Sequence, residues 1–125
     1  MKKTEQIYGV KTTYITEGEG PDMILLHGWG QNKEMMQAIF DHYKDRYRVF
    51  AIDFPGFGES DNPPVAWGVP DYEAFLEDFI AVNQIQNPIF FKIIAALYHT
   101  SHGFSLLLHV FLIIITTKVG YLHYT

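Results

Sequence analysis

The sequence predicts an α/β fold: a mostly parallel sheet with an N-terminal antiparallel hairpin and flanking helices. Three observations carry that reading. The apolar run Met23-Ile24-Leu25-Leu26 ends abruptly in His27-Gly28-Trp29-Gly30, as a buried strand does when it breaks into a turn. A stretch with apolar residues at spacings of three and four follows, which is one face of an amphipathic helix. Residues 47–52 are then almost wholly apolar again, as suits a parallel strand covered on both faces. Strand, helix and strand at this length make a right-handed βαβ unit.

The other elements follow in order. Residues 5–17 alternate loosely around Gly9 and are rich in β-branched and aromatic side chains, which predicts two short antiparallel strands. Residues 17–21, Glu-Gly-Glu-Gly-Pro, make a turn. Asn32 is placed to cap a helix over 33–44, whose apolar face is Met35, Met36, Ile39, Phe40 and Tyr43. Residues 53–70 form a long loop rich in glycine and proline. A second helix runs from Pro70 to about Gln84, with Phe75, Leu76, Phe79, Ile80 and Val82 inward and Glu73, Glu77 and Asp78 toward water. Asn87-Pro88 ends it. Residues 89–94 read as another buried strand, interrupted by Lys92. A further apolar run occupies 105–117.

Composition narrows the function classes. The chain has 125 residues, enough for one domain, with 48% hydrophobic and 18% charged residues, so it is a core-forming sequence. A net charge of −5 without a basic run argues against nucleic-acid binding, which needs clustered Lys and Arg. Having no Cys excludes disulfides and thiolate metal sites. His99, His102, His109 and His123 have no acid nearby in sequence, so no metal site is expected. Gly56-Phe57-Gly58 is too short for a dinucleotide fingerprint, and no cofactor is expected. The N-terminus is basic, but no apolar segment follows it, so a secretory signal is not expected and the default location is the cytoplasm. All 14 acids lie between Glu5 and Asp78, and the 38 residues from Pro88 onward hold only Lys92 and Lys118 as charged side chains. This break divides the chain into 1–90 and an apolar tail, 91–125.

The stretch Leu25-Leu26-His27-Gly28-Trp29-Gly30, followed by Asp53-Phe54-Pro55-Gly56-Phe57-Gly58-Glu59-Ser60, resembles the α/β-hydrolase family. There an LLHGxG strand end precedes a D-x-P-G-x-G-x-S loop. The resemblance runs from about Tyr8 to Ile89. It implies the N-terminal half of a serine hydrolase acting on a small ester, amide or C–C substrate. It also implies scaffold roles for His27, Gly28, Gly30, Asp53, Gly56 and Gly58. In the family a nucleophilic serine sits on a G-x-S-x-G elbow about 40 residues after the loop. Here Ser101 lies 41 positions after Ser60 in His99-Thr100-Ser101-His102-Gly103. It is the candidate nucleophile, although only the second elbow glycine is present; the alternative is an ordinary loop serine. The oxyanion donors implied are the backbone N–H groups of Trp29 and His102, while Gly28 and Gly30 read equally well as a plain tight turn. His27 reads as a hydrogen-bonded structural histidine.

After Ser101 no Asp or Glu follows, and no role carries over to His109 or His123. The family's order is serine, acid, histidine, so the expected protein is a hydrolase fragment, truncated or frameshifted after about residue 90 and inactive as this chain. Two alternatives stand beside it. One is a membrane-associated non-catalytic protein anchored through 104–122, against which a spanning helix of about 20 apolar residues must be set. The other is a small binding module built on the βαβ core, with the tail covering the sheet.

Overall fold

The computed structural model describes residues 1–28, 30–97 and 108–116, with 93–97 and 108–116 as backbone. Six strands form one mixed sheet: β1 (Lys2–Ile7), β2 (Val10–Glu17), β3 (Asp22–Leu26), β4 (Arg48–Ile52), β5 (Ile89–Leu97) and β6 (Leu108–Thr116). Their spatial order is β1-β2-β4-β3-β5-β6. β3 lies in the middle and runs parallel to both neighbours, with Leu25 opposite Ala51 and Phe91. β1, β2 and β6 add antiparallel strands at the two sides.

The N-terminal hairpin forms as expected. Ile7 pairs with Val10, and the two residues between them, Tyr8 and Gly9, have φ of 49° and 77°. Two positive φ values in a two-residue loop match the right-handed twist of the flanking strands. All five residues of β3 are buried. Its side chains alternate between the faces, so Ile24 and Leu26 enter one core and Met23 and Leu25 the other. The first core is closed by helix α2 (Val69–Val82) through Phe75, Leu76 and Phe79, packed on Tyr14, Phe50 and Ile52. The second is closed by Met36 and Phe40 over Val49, Ala51 and Phe91.

Three expectations change. The helix expected over 33–44 is a 3-10 turn (Lys33–Met36) leading into a shorter helix α1 (Gln37–Tyr43). Asn32 caps it as read, its Oδ1 accepting the Met35 N–H at 3.3 Å. The tight first turn is anchored to the end of β4 through Lys33, and it leaves Met35 at 52% exposed, outside the core assigned to it. Val82, at the end of α2, is likewise 47% exposed. Within the apolar segment 104–122, residues 108–116 are a strand paired to β5, with Phe91 opposite Ile114. The membrane alternative needed a helix there. Among the described residues no helix is long and apolar enough to cross a membrane.

Candidate active site

The turn after β3 and the loop after β4 meet at the C-terminal end of the parallel strands, where α/β sheets place ligand sites. His27 closes β3 and is buried. Its Nε2 accepts the Phe54 N–H at 3.0 Å, so the proton sits on Nδ1 and is donated to the Gly28 carbonyl at 2.8 Å. Phe54 and Phe57 pack edge-on against the ring at 4.9 and 5.6 Å between centroids. Burial lowers the imidazole's pKa, outweighing the hydrogen bond to the Gly28 carbonyl and the pull of Asp53 and Glu34. His27 is therefore a neutral brace between two loops and has no nitrogen left for proton transfer.

The turn itself is closed by reciprocal bonds. The Gln31 N–H donates to the Gly28 carbonyl at 3.1 Å, and the Gly28 N–H donates to Gln31 Oε1 at 3.0 Å. Gly30 takes φ of 75°, a value that favours glycine. Trp29 lies outside the described residues, as do Ser101 and His102.

Asp53 ends β4 with no exposure. Its Oδ1 accepts the Lys33 N–H at 2.6 Å, and its Oδ2 accepts Lys33 Nζ at 2.7 Å and the Glu59 N–H at 2.9 Å. Gly58 presses on this carboxylate so closely that a Cβ there would lie 2.4 Å from it. Gly56, at φ of 91°, turns the loop back so that its N–H reaches the Asp61 carbonyl at 2.9 Å. Ser60 is buried as well. Its Oγ donates to the Asp53 carbonyl at 2.6 Å and accepts the Thr13 N–H at 2.9 Å. Of the scaffold residues named from the sequence, Gly58 packs on Asp53, while His27 ties the Gly28 turn to Phe54, the residue after Asp53.

Lys33 is a member of this cluster that no sequence pattern singled out. In sequence it marked only the start of the helix over 33–44, yet only 2% of it is exposed. Its ammonium meets Asp53 at 2.7 Å, Glu34 at 2.9 Å and Glu59 at 3.0 Å. Burial disfavours its charge, but the three carboxylates outweigh that and raise its pKa. Hydrogen bonds from Lys2 and Lys33 in turn hold the Glu59 carboxyl at about 2, well below the usual carboxylate range. Among the described residues no group of three His, Cys, Asp or Glu is placed to hold a metal ion. The three carboxylates that do converge are occupied by Lys33.

A β3–α1–β4–α2–β5 order with a His-Gly-x-Gly turn braced against an Asp-x-Pro-Gly loop defines a hydrolase-type α/β scaffold. Comparison with known proteins agrees: residues 23–103 match the model of the "Alpha/beta hydrolase family", and the chain belongs to that family, representing its N-terminal part. Curated relatives include the pimeloyl-[acyl-carrier protein] methyl ester esterase of Vibrio vulnificus, 42% identical over 45 residues, which are 36% of this chain and 18% of the relative. The enzyme of the same name from Aliivibrio fischeri is 35% identical over 66 residues, 53% of this chain and 24% of that protein. The matched segments are therefore less than a quarter of these relatives' length. Among solved structures, an α/β hydrolase fold protein from Burkholderia ambifaria shares 24% identity at a TM-score of 0.68, over 72% of this chain and 33% of the other. An epoxide hydrolase from Vigna radiata reaches a TM-score of 0.70 at 19% identity, over 74% and 30%. These two likenesses concern the fold.

Proposed function

We propose that this chain is the oxyanion-side half of a serine hydrolase that cleaves a small ester, and that its 125 residues alone do not turn over. One observation chiefly supports the reading: β3 and β5 are parallel neighbours. The His-Gly-x-Gly turn and the C-terminal end of β5 therefore point toward the same end of the sheet, with β5 running to Leu97, five residues past Lys92, which faces Leu26. The family match also extends to residue 103 and takes in Ser101. The relatives' names favour an ester, on a small or carrier-linked acyl group, over an amide or a C–C bond.

In the whole enzyme of this reading an elbow serine, at the place Ser101 holds in this chain, attacks the ester carbonyl carbon, its proton passes through a histidine to the leaving alkoxide, and water then releases the acid. The N–H of Trp29 and the N–H of the residue after that serine, which is His102 in this chain, would hold the tetrahedral oxyanion, each worth about 3–4 kcal/mol of transition-state stabilisation. The serine's proton needs a histidine oriented by an acid, and no acid follows Ser101 in the sequence. Para-nitrophenyl butyrate hydrolysis tests the claim of inactivity. The purified chain is expected to match its Ser101→Ala variant, and a faster rate that vanishes in the variant overturns it. Translating the gene in all frames beyond codon 85 tests the descent. A G-x-S-x-G elbow followed by an acid and a histidine is expected, and their absence overturns that part.

A further inference from the structure

The turn over residues 28–31 hangs between two anchors. On one side His27 Nε2 takes the Phe54 N–H. On the other, Lys33 grips Asp53 twice, with its backbone N–H on Oδ1 and its ammonium on Oδ2. Both anchors reach consecutive residues at the exit of β4. A single bond would let residue 33 swing about it; two bonds to the two oxygens of one carboxylate do not. The carboxylate is itself immobilised by the Glu59 N–H and by the close approach of Gly58. Glu34 and Glu59 complete the ammonium's shell, so it has no reason to move toward water. Buried ion pairs contribute little net stability relative to apolar packing, because desolvation offsets the attraction. What this pair supplies is position.

We propose that Lys33 is a positioning residue: through Asp53 it sets where the His-Gly-x-Gly backbone stands relative to the 53–60 loop, and so where an oxyanion can be received. The oxyanion part rests on the function proposed above. The positional part does not, and the experiment separates them by reading backbone amides rather than turnover.

The chain contains no cysteine, so Lys33→Cys introduces a single thiol. Alkylating that variant unfolded with 2-bromoethylamine and refolding it restores an ammonium at nearly the lysine's reach; iodoacetamide gives a neutral side chain of similar length. Amide resonances are then compared with wild type. The aminoethylated chain is expected to recover the Gly28, Gly30 and Gln31 resonances. The carbamidomethylated chain is expected to show them displaced while those of Tyr14 and Ala51 stay in place. Wild-type turn resonances in the neutral adduct overturn the proposal. So does failure of the aminoethylated chain to regain them, refolded or not. A neutral adduct that does not fold also overturns it, because the ammonium would then support the whole fold rather than the turn. Absence of esterase activity bears only on the function proposed above.

Discussion

Gly58 and Gly9 both take positive φ, 53° and 77°, but their surroundings differ. A Cβ on Gly9 would meet nothing within 4 Å, whereas one on Gly58 would collide with the Asp53 carboxylate. Gly9→Ala should therefore lose only backbone strain, about 1 kcal/mol. Gly58→Ala should lose about 3 kcal/mol or more, strain and overlap together. Urea denaturation of the two variants checks the difference, and equal losses would contradict the close packing on Asp53. His27 gives a second prediction at this scale. Its folded pKa is lowered by burial, below the unfolded value of about 6.5. Between those two values the unfolded chain binds more protons, so stability rises with pH there. The contribution is complete above about pH 6.5 and is lost as pH falls through the folded value. In His27→Gln the loss of urea resistance between pH 7.5 and 5 should be smaller than in wild type. An identical loss would place the titration elsewhere. The structural role of His27 was legible because a histidine at a strand end before glycine has backbone groups to satisfy. Lys33 was not legible: in sequence it stands in a polar stretch, and only the folded proximity of Asp53 shows that it is buried.

Helix α2 shows where periodicity succeeds and where it stops. Phe75, Leu76 and Phe79 face the sheet as their spacing indicates. Phe79 packs edge-on against Tyr14 at 5.1 Å and Phe50 at 5.8 Å. Phe79→Ala should cost about 3–5 kcal/mol, as large-to-small changes in packed cores do. Val82 was assigned to the same face but stands 47% exposed at the end of α2, so Val82→Ala should stay within about 0.5 kcal/mol of wild type. Thermal melts of both variants check the contrast, and a large loss for Val82→Ala would restore it to the core. Asp78, read as facing water, accepts the Tyr8 N–H at 2.6 Å, a tie to the hairpin that no sequence pattern marks. The run holding β6 was equally opaque. A continuous apolar segment has no period to separate strand from helix, and the antiparallel pairing to β5 decided it.

Among the described residues, the two cores lie on opposite faces of the sheet, and β3, β4 and β5 each give side chains to both, β5 through Phe90 and Phe91. Met23 and Leu25 with Val49 and Ala51 serve one core, while Ile24 and Leu26 with Phe50 and Ile52 serve the other. No local opening can expose β3 without disrupting both layers, so its amides should exchange only through global unfolding. β1 is placed differently. It stands at the sheet edge, mostly exposed, with only Ile7 buried along its length. Its ties to the rest include the β2 ladder, the bond from Tyr14 Oη to Glu5, the hairpin's contact with Asp78 and the solvent-exposed ion pair of Lys2 with Glu59 at 2.8 Å. Hydrogen exchange should therefore be slowest at Ile24 and Leu25 and many-fold faster at the β2-bonded amides of β1. Rising urea should leave the β1 rates nearly unchanged, because little surface opens with that edge, while the β3 rates climb steeply with the surface exposed on unfolding. If β1 and β3 responded alike, the hairpin and the two-core centre would be one cooperative unit. The turn and loop at the ends of β3 and β4 would then share its full stability rather than the stability of the centre alone.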